Sequence, residues 1–153
     1  MPSHRPRTLR DAAGPARLFV DSGAWIALRS RRDQHHEEAG RLFHQAVTQR
    51  IRLYTTNLVL AEVHRLTLFR AGVQPALHGL DRVDASPSIT VLFPGAENHA
   101  AARRWLERLA PRPITYADAV SFTVMEEVRC SHVLGFDADF EAAGFALWRP
   151  PHH

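Results

Sequence analysis

Short apolar runs alternating with helical stretches of amphipathic pattern predict an α/β sandwich, with helices flanking a central, mainly parallel twisted sheet. Two further observations support it. At 153 residues the chain suits one domain with an ordinary core. It also lacks any internal repeat or Gly/Ser-rich linker that would divide it.

The elements follow in order. Leu18-Phe19-Val20 is a short strand that stops on Asp21, and Ser22 is placed to cap a helix through Ala24, Trp25, Ile26 and Leu28. After a polar break at Ser30 to Gln34, a second helix is expected from about His35 to Gln49. Its buried side is Ala39, Leu42, Phe43, Ala46 and Val47. Ile51 to Thr55 makes the next strand. Asn57 is the expected cap of a long helix, Leu58 to Ala71, closed by Gly72, and a further helix covers Pro75 to Val83. Ile89 to Phe93 is the third strand, and a helix over Glu97 to Leu109 follows. Pro111 and Pro113 interrupt the pattern before Thr115 opens a helix with Ala117, Val120, Val124 and Val128 on one stripe. The run "VLGFDADF" then ends a strand on Asp137 and Asp139, and Phe145 to Trp148 is the last strand.

Charge divides the chain unevenly. All 19 basic residues are arginine. Residues 1–17 hold four arginines and one acid, which leaves 15 arginines against 15 acids in residues 18–150 and beyond. A flexible arginine-rich tail on a neutral domain is therefore expected, and arginines of that kind favour phosphate. Without lysine there is no phosphate-loop lysine, no Schiff base, and none of the lysine that receiver domains or haloacid-dehalogenase-type phosphatases use. No GxGxxG supports a dinucleotide cradle. The single Cys130 excludes an internal disulfide or a Cys-rich zinc site, and none of the ten histidines falls in a HExxH pattern. No apolar run reaches the ~18 residues of a membrane span, so a cytoplasmic location is the expectation.

Four acids lie where such a fold gathers ligands, at the carboxyl edge of the sheet. Asp21 and Asp137 end strands, while Glu62 and Asp118 occupy early turns of helices that start near the same edge. Each has a plain structural reading: Asp21 leads into its helix, and Asp118 completes a T-Y-A-D capping box. Glu62 sits in an apolar turn and reads as a buried carboxylate in need of a partner. Together they are harder to explain structurally. Like charges ~6 Å apart repel by about 3 kcal/mol per pair at an effective dielectric near 20. Six pairs give on the order of 15 kcal/mol, comparable with the stability of a whole domain. Protons or cations must relieve such a cluster. An all-oxygen site suits Mg²⁺ or Mn²⁺ better than zinc, and its natural chemistry is phosphodiester hydrolysis.

Four stretches, "LFVDSGAWIAL", "TTNLVLAEV", "ITYADAVSFTVME" and "VLGFDADF", resemble the PIN-domain ribonucleases, in particular the VapC-type toxins of bacterial toxin–antitoxin pairs. A weaker fifth is "DQHHEEAGRLF", through the spacing of Asp33, His36 and Ala39. The likeness runs in family order from Leu18 to about Trp148. It implies a PIN-like sandwich in which Asp21, Glu62, Asp118 and Asp137 are the catalytic acids and bind Mg²⁺ or Mn²⁺. Ser22 and Thr56 match hydroxyl positions near the metal, and Asp139 matches an outer-shell contact. By the same resemblance the protein cleaves RNA, forms a homodimer and is held by a cognate antitoxin. Two features depart from the pattern: Gly135 stands where the family usually has Thr or Ser, and the arginine-rich leader precedes the first strand. The alternatives are a PIN nuclease of RNA processing and a catalytically inactive RNA- or partner-binding PIN domain.

Overall fold

The chain was analysed as a computed structural model, which describes residues 14–151. Five strands, β1 (Arg17–Val20), β2 (Arg52–Thr56), β3 (Ile89–Leu92), β4 (His132–Leu134) and β5 (Ala146–Leu147), form one sheet in the order β3-β2-β1-β4-β5. Every pair is parallel, so the expected mainly parallel sheet is wholly so among the described residues. Among the described residues seven helices connect and cover it: α1 (Ser22–Arg29), α2 (His36–Thr48), α3 (Asn57–Ala71), α4 (Val73–Ala85), α5 (Ala96–Leu109), α6 (Tyr116–Glu127) and α7 (Asp139–Ala142). The last is a single turn that the sequence reading did not anticipate.

The connections explain where a site can form. From β1 the chain steps outward to β2 and then β3, and α1 to α4 pack on one another along that route. It then returns past β1 to β4 through α5 and α6, which pack together as a separate pair. With right-handed crossovers the two groups lie on opposite faces of the sheet. The direction reverses between β1 and β4, and a crevice opens at their carboxyl ends.

Aromatic packing fixes both faces. Phe122 of α6 meets Phe140 of α7 edge-on with centroids 5.1 Å apart, and Trp105 of α5 meets Phe122 at 5.4 Å. On the α1–α2 side Trp25 packs on Phe43 at 5.1 Å. The Trp25 indole donates to the Thr55 hydroxyl at 3.4 Å, and that hydroxyl donates to the Val20 carbonyl at 3.1 Å. Thr55 is fully buried, so this relay satisfies its hydroxyl and ties β2 to the last residue of β1.

Several local expectations are corrected. The cap of α3 is Thr56, whose hydroxyl accepts from the Val59 N–H at 3.1 Å; Asn57 is already helical. Asp21, not Ser22, occupies the cap position of α1, and its carboxylate makes no capping hydrogen bond there. Val47 is 62 % exposed rather than buried, whereas Ala46 beside it is fully buried and ends the core-facing stripe of α2. Phe93 falls just beyond β3 and is 73 % exposed. Arg17 belongs to β1, and the Ala16 carbonyl already accepts from Arg52, so the sheet begins before the boundary expected at residue 18. Most of the arginine-rich leader, residues 1–13, lies outside the described residues.

Candidate active site

The crevice between β1 and β4 is built from backbone outward. β1 and β4 are in register with Val20 opposite Leu134, and the Asp21 N–H donates to the Leu134 carbonyl at 3.2 Å. This seats Asp21 beside Gly135. A β-carbon at Gly135 would lie 3.3 Å from the Asp21 β-carbon, tighter than side chains ordinarily pack. A Thr or Ser at this position would therefore crowd Asp21 unless the neighbour shifted by a few tenths of an ångström.

Past Gly135 the chain turns at Asp137, whose Oδ1 accepts from the Asp139 N–H at 2.9 Å. This is an Asx turn, the structural role expected of an aspartate at a strand end. It coexists with a second property. Asp118, Asp137 and Asp139 each present a carboxylate oxygen within 4.8 Å of the other two. Asp118 is brought there by the start of α6, where the Thr115 hydroxyl accepts from the Asp118 N–H at 3.1 Å. Asp139 is also held by Arg112, Nε to Oδ1, at 2.7 Å.

The electrostatics draw the remaining acids into the same centre. Asp21 is 5 % exposed, and burial pushes its pKa from the ordinary 3.8 to about 7. Repulsion from Asp118, Glu62 and Asp137 adds to this, while the Ser22 N–H opposes it. Asp118 is pushed to about 6, first by burial and then by Asp137, Glu62 and Asp139, against a hydrogen bond from Thr115. Asp21 thus feels the other three acids expected from the sequence. The four are not equivalent, however. The tight group contains Asp139 in addition to Asp118 and Asp137, whereas Asp21 lies buried at its back. Glu62 is exposed on α3, contrary to the buried position its apolar neighbours suggested. Those neighbours mislead because Leu60 is only half-buried and Ala61 is exposed, so this side of the turn faces solvent.

Of the two hydroxyls singled out, Thr56 is fully buried and spent on capping α3. Ser22 is buried at the first turn of α1 and touches Asp21 through its backbone N–H. Asn57, beside Thr56 at the end of β2, keeps its Oδ1 buried without a hydrogen-bond partner among the described residues.

Residues that the sequence reading missed steady the Asp137 turn. The Phe136 ring is stacked on His35 at 4.1 Å, nearly parallel, and the Arg149 guanidinium lies 5.0 Å from the centroid of the same ring. Arg149 also donates to the Gly135 carbonyl at 2.7 Å. Arg112 and Arg149 come from distant parts of the chain, and no local pattern marks either. Thr115 was legible both as a helix start and as the partner of Asp118 in the T-Y-A-D capping box.

The donor set fits a hard divalent cation. Oxygen ligands converge, two of the carboxylates sit well above their ordinary pKa, and no sulfur or histidine nitrogen enters the group.

Known proteins share this fold. The family model described as "PIN domain" matches residues 18–146. The chain belongs to the PIN-domain family, in its branch of VapC-type endoribonuclease toxins. Among its relatives is the 23S rRNA-specific endonuclease VapC20 of Mycobacterium tuberculosis, 33 % identical over 133 residues in both strains CDC 1551 and H37Rv. That match covers 87 % of this chain and 98 % of the relative. The crystal structure of Mycobacterium tuberculosis VapC20, a sarcin-ricin loop cleaving toxin, superposes with a TM-score of 0.78 at 32 % identity. It spans 87 % of this chain and 99 % of that one.

Proposed function

We propose that this protein is a divalent-metal-dependent endoribonuclease, the toxin of a toxin–antitoxin pair, acting on a loop of ribosomal RNA as its relatives' names state of them. The observation that carries the reading is the convergence of Asp118, Asp137 and Asp139 at the switch point of a parallel sheet, with Asp21 buried behind them. Mg²⁺ or Mn²⁺ bound there supplies charge neutralisation at the phosphate and a water of lowered pKa.

The chain's own residues do the rest. Asp21, Glu62, Asp118 and Asp137 would hold the ion, and Asp139 would position Asp137 through their shared turn. The Ser22 N–H and the Thr115 hydroxyl hold Asp21 and Asp118 toward their charged, ligating forms against burial. Arg112 neutralises one side of the group, which keeps Asp139 from adding its full charge to the repulsion. Glu62 would join the other three from the exposed side of α3.

Partners follow from the same reading. An antitoxin would cover the acidic centre with a basic group, and the active form would be a homodimer in the cytoplasm. No helix among the described residues is long and apolar enough to cross a membrane. A PIN nuclease of RNA maturation shares the same centre and would lack an antitoxin.

The test is cleavage of a labelled sarcin-ricin stem-loop, with a scrambled loop as control, in Mg²⁺, Mn²⁺ and EDTA. Cutting that needs metal, depends on the loop and disappears in Asp118→Asn is the expected result. Equal cutting of both loops would overturn the ribosomal assignment, and metal-independent cutting would overturn the mechanism.

A further inference from the structure

A second concavity lies on the same edge of the sheet and is aromatic rather than acidic. Its volume is about 360 Å³, and Leu58, Pro94, Asn98, His99, Tyr116 and Val120 are among the residues that line it. Two of its walls come from the elements that carry the acids. Tyr116 precedes Asp118 by two residues in the first turn of α6, and Leu58 lies one turn before Glu62 on one face of α3. The third wall is the turn from β3 into α5. It is fixed by Asn98, whose Oδ1 accepts from the Gly95 N–H at 3.0 Å and whose amide donates to Glu127.

The aromatic groups are held in place yet open to solvent. Tyr116 is 45 % exposed, and its hydroxyl pairs with His99 Nδ1 at 2.9 Å, with the rings 5.7 Å apart. Phe93, the residue before Pro94 in the chain, is 73 % exposed. Neither Tyr116 nor Phe93 adds to the core, and leaving large apolar surface in water costs free energy. Unpaired RNA bases are bound by this kind of surface, through stacking on Tyr, Phe and His.

We propose that this pocket is a nucleobase subsite: it takes one unpaired base of the RNA next to the scissile phosphate and so contributes to sequence choice. Tyr116 is the stacking platform, and His99 fixes its ring. The inference rests on the endoribonuclease reading, because a base can enter only if RNA lies across the acidic centre.

Binding is measured by fluorescence anisotropy, with Asp118→Asn as an uncleaving background, on a single-stranded loop RNA. Adding Tyr116→Ala is expected to weaken binding by on the order of tenfold, the usual cost of a lost base stack. Tyr116→Phe keeps the ring but loses the hydrogen bond to His99, so it should lose much less than Tyr116→Ala. Abasic substitutions scanned through the RNA identify the base concerned. At one position flanking the cleavage site the loss should match that of Tyr116→Ala, and the two losses should not add when combined.

If the parent protein cuts RNA but Tyr116→Ala binds, cuts and selects sequence as before, the subsite is wrong while the nuclease stands. The same holds if that variant changes only self-association or antitoxin binding, which would make the patch a protein-facing one. If no RNA is bound or cut by the parent protein, both readings fall together.

Discussion

Asp21 is subject to opposing demands. Burial and three neighbouring carboxylates disfavour its charge, yet ligating a cation requires that charge. In metal-free protein the consequence has a definite sign. Asp21 titrates at about 7 when folded and near 3.8 in the ordinary state, so between those values the folded chain binds more protons than the unfolded one. Its contribution to stability is fully present below about pH 4 and is lost as pH rises through 7. The difference corresponds to about 4 kcal/mol, shared with Asp118 because the two titrate as a coupled pair. Thermal unfolding in EDTA should therefore occur at lower temperature at pH 8 than at pH 5.5, and Asp21→Asn should narrow the gap. Excess Mg²⁺ should raise the pH 8 midpoint of the parent far more than that of the variant. In cleavage assays Asp21→Asn and Asp118→Asn should each lose at least a hundredfold in kcat, with circular dichroism unchanged. A variant that retained the parent's rate would remove that residue from the metal site.

Elements set the positions that these carboxylates occupy. Thr56 caps α3 from a fully buried position, so Thr56→Ala should cost about 1 kcal/mol, read from urea denaturation. Phe122 joins α6 to α5 and α7 through Trp105 and Phe140, and the whole ring is buried. Phe122→Ala should cost about 3–5 kcal/mol and loosen the two helices that present Asp118 and Asp139. Its loss of activity should follow the unfolded fraction, in contrast to Asp118→Asn. Element types were legible because periodicity and breakers agreed along most of the chain. Ends were less so. Thr56 and Asn57 are both good cap residues, and only the course of β2 decides which of them leaves the sheet last.

For the whole molecule, topology is the organising fact. The reversal of direction between β1 and β4 brings together acids separated by 41, 56 and 19 residues, and no local pattern encodes that meeting. The balance of charge in residues 18–150 puts the net positive charge outside the domain, so RNA must be met by particular groups rather than by a uniformly basic surface. Cleavage by the chain lacking residues 1–13 should keep the same cut sites as the full chain, and mapping the products of both will check it.

By itself the sequence determined the class of fold and the chemical character of the site. Alternating apolar runs point to a parallel sheet, and carboxylates gathered at strand ends and helix starts call for protons or a cation to relieve their repulsion. It also located Asp21, Asp118 and Asp137 correctly at the carboxyl edge. Only the tertiary structure decided how the acids are disposed in space. Burial and direction depend on contacts from remote segments, so Glu62 emerges into solvent although its neighbours are apolar. Asp139 joins the tight group although it reads as a turn residue. Arg112 and Arg149 reach the site across long stretches of chain, and a side chain's reach across space leaves no trace in its local sequence.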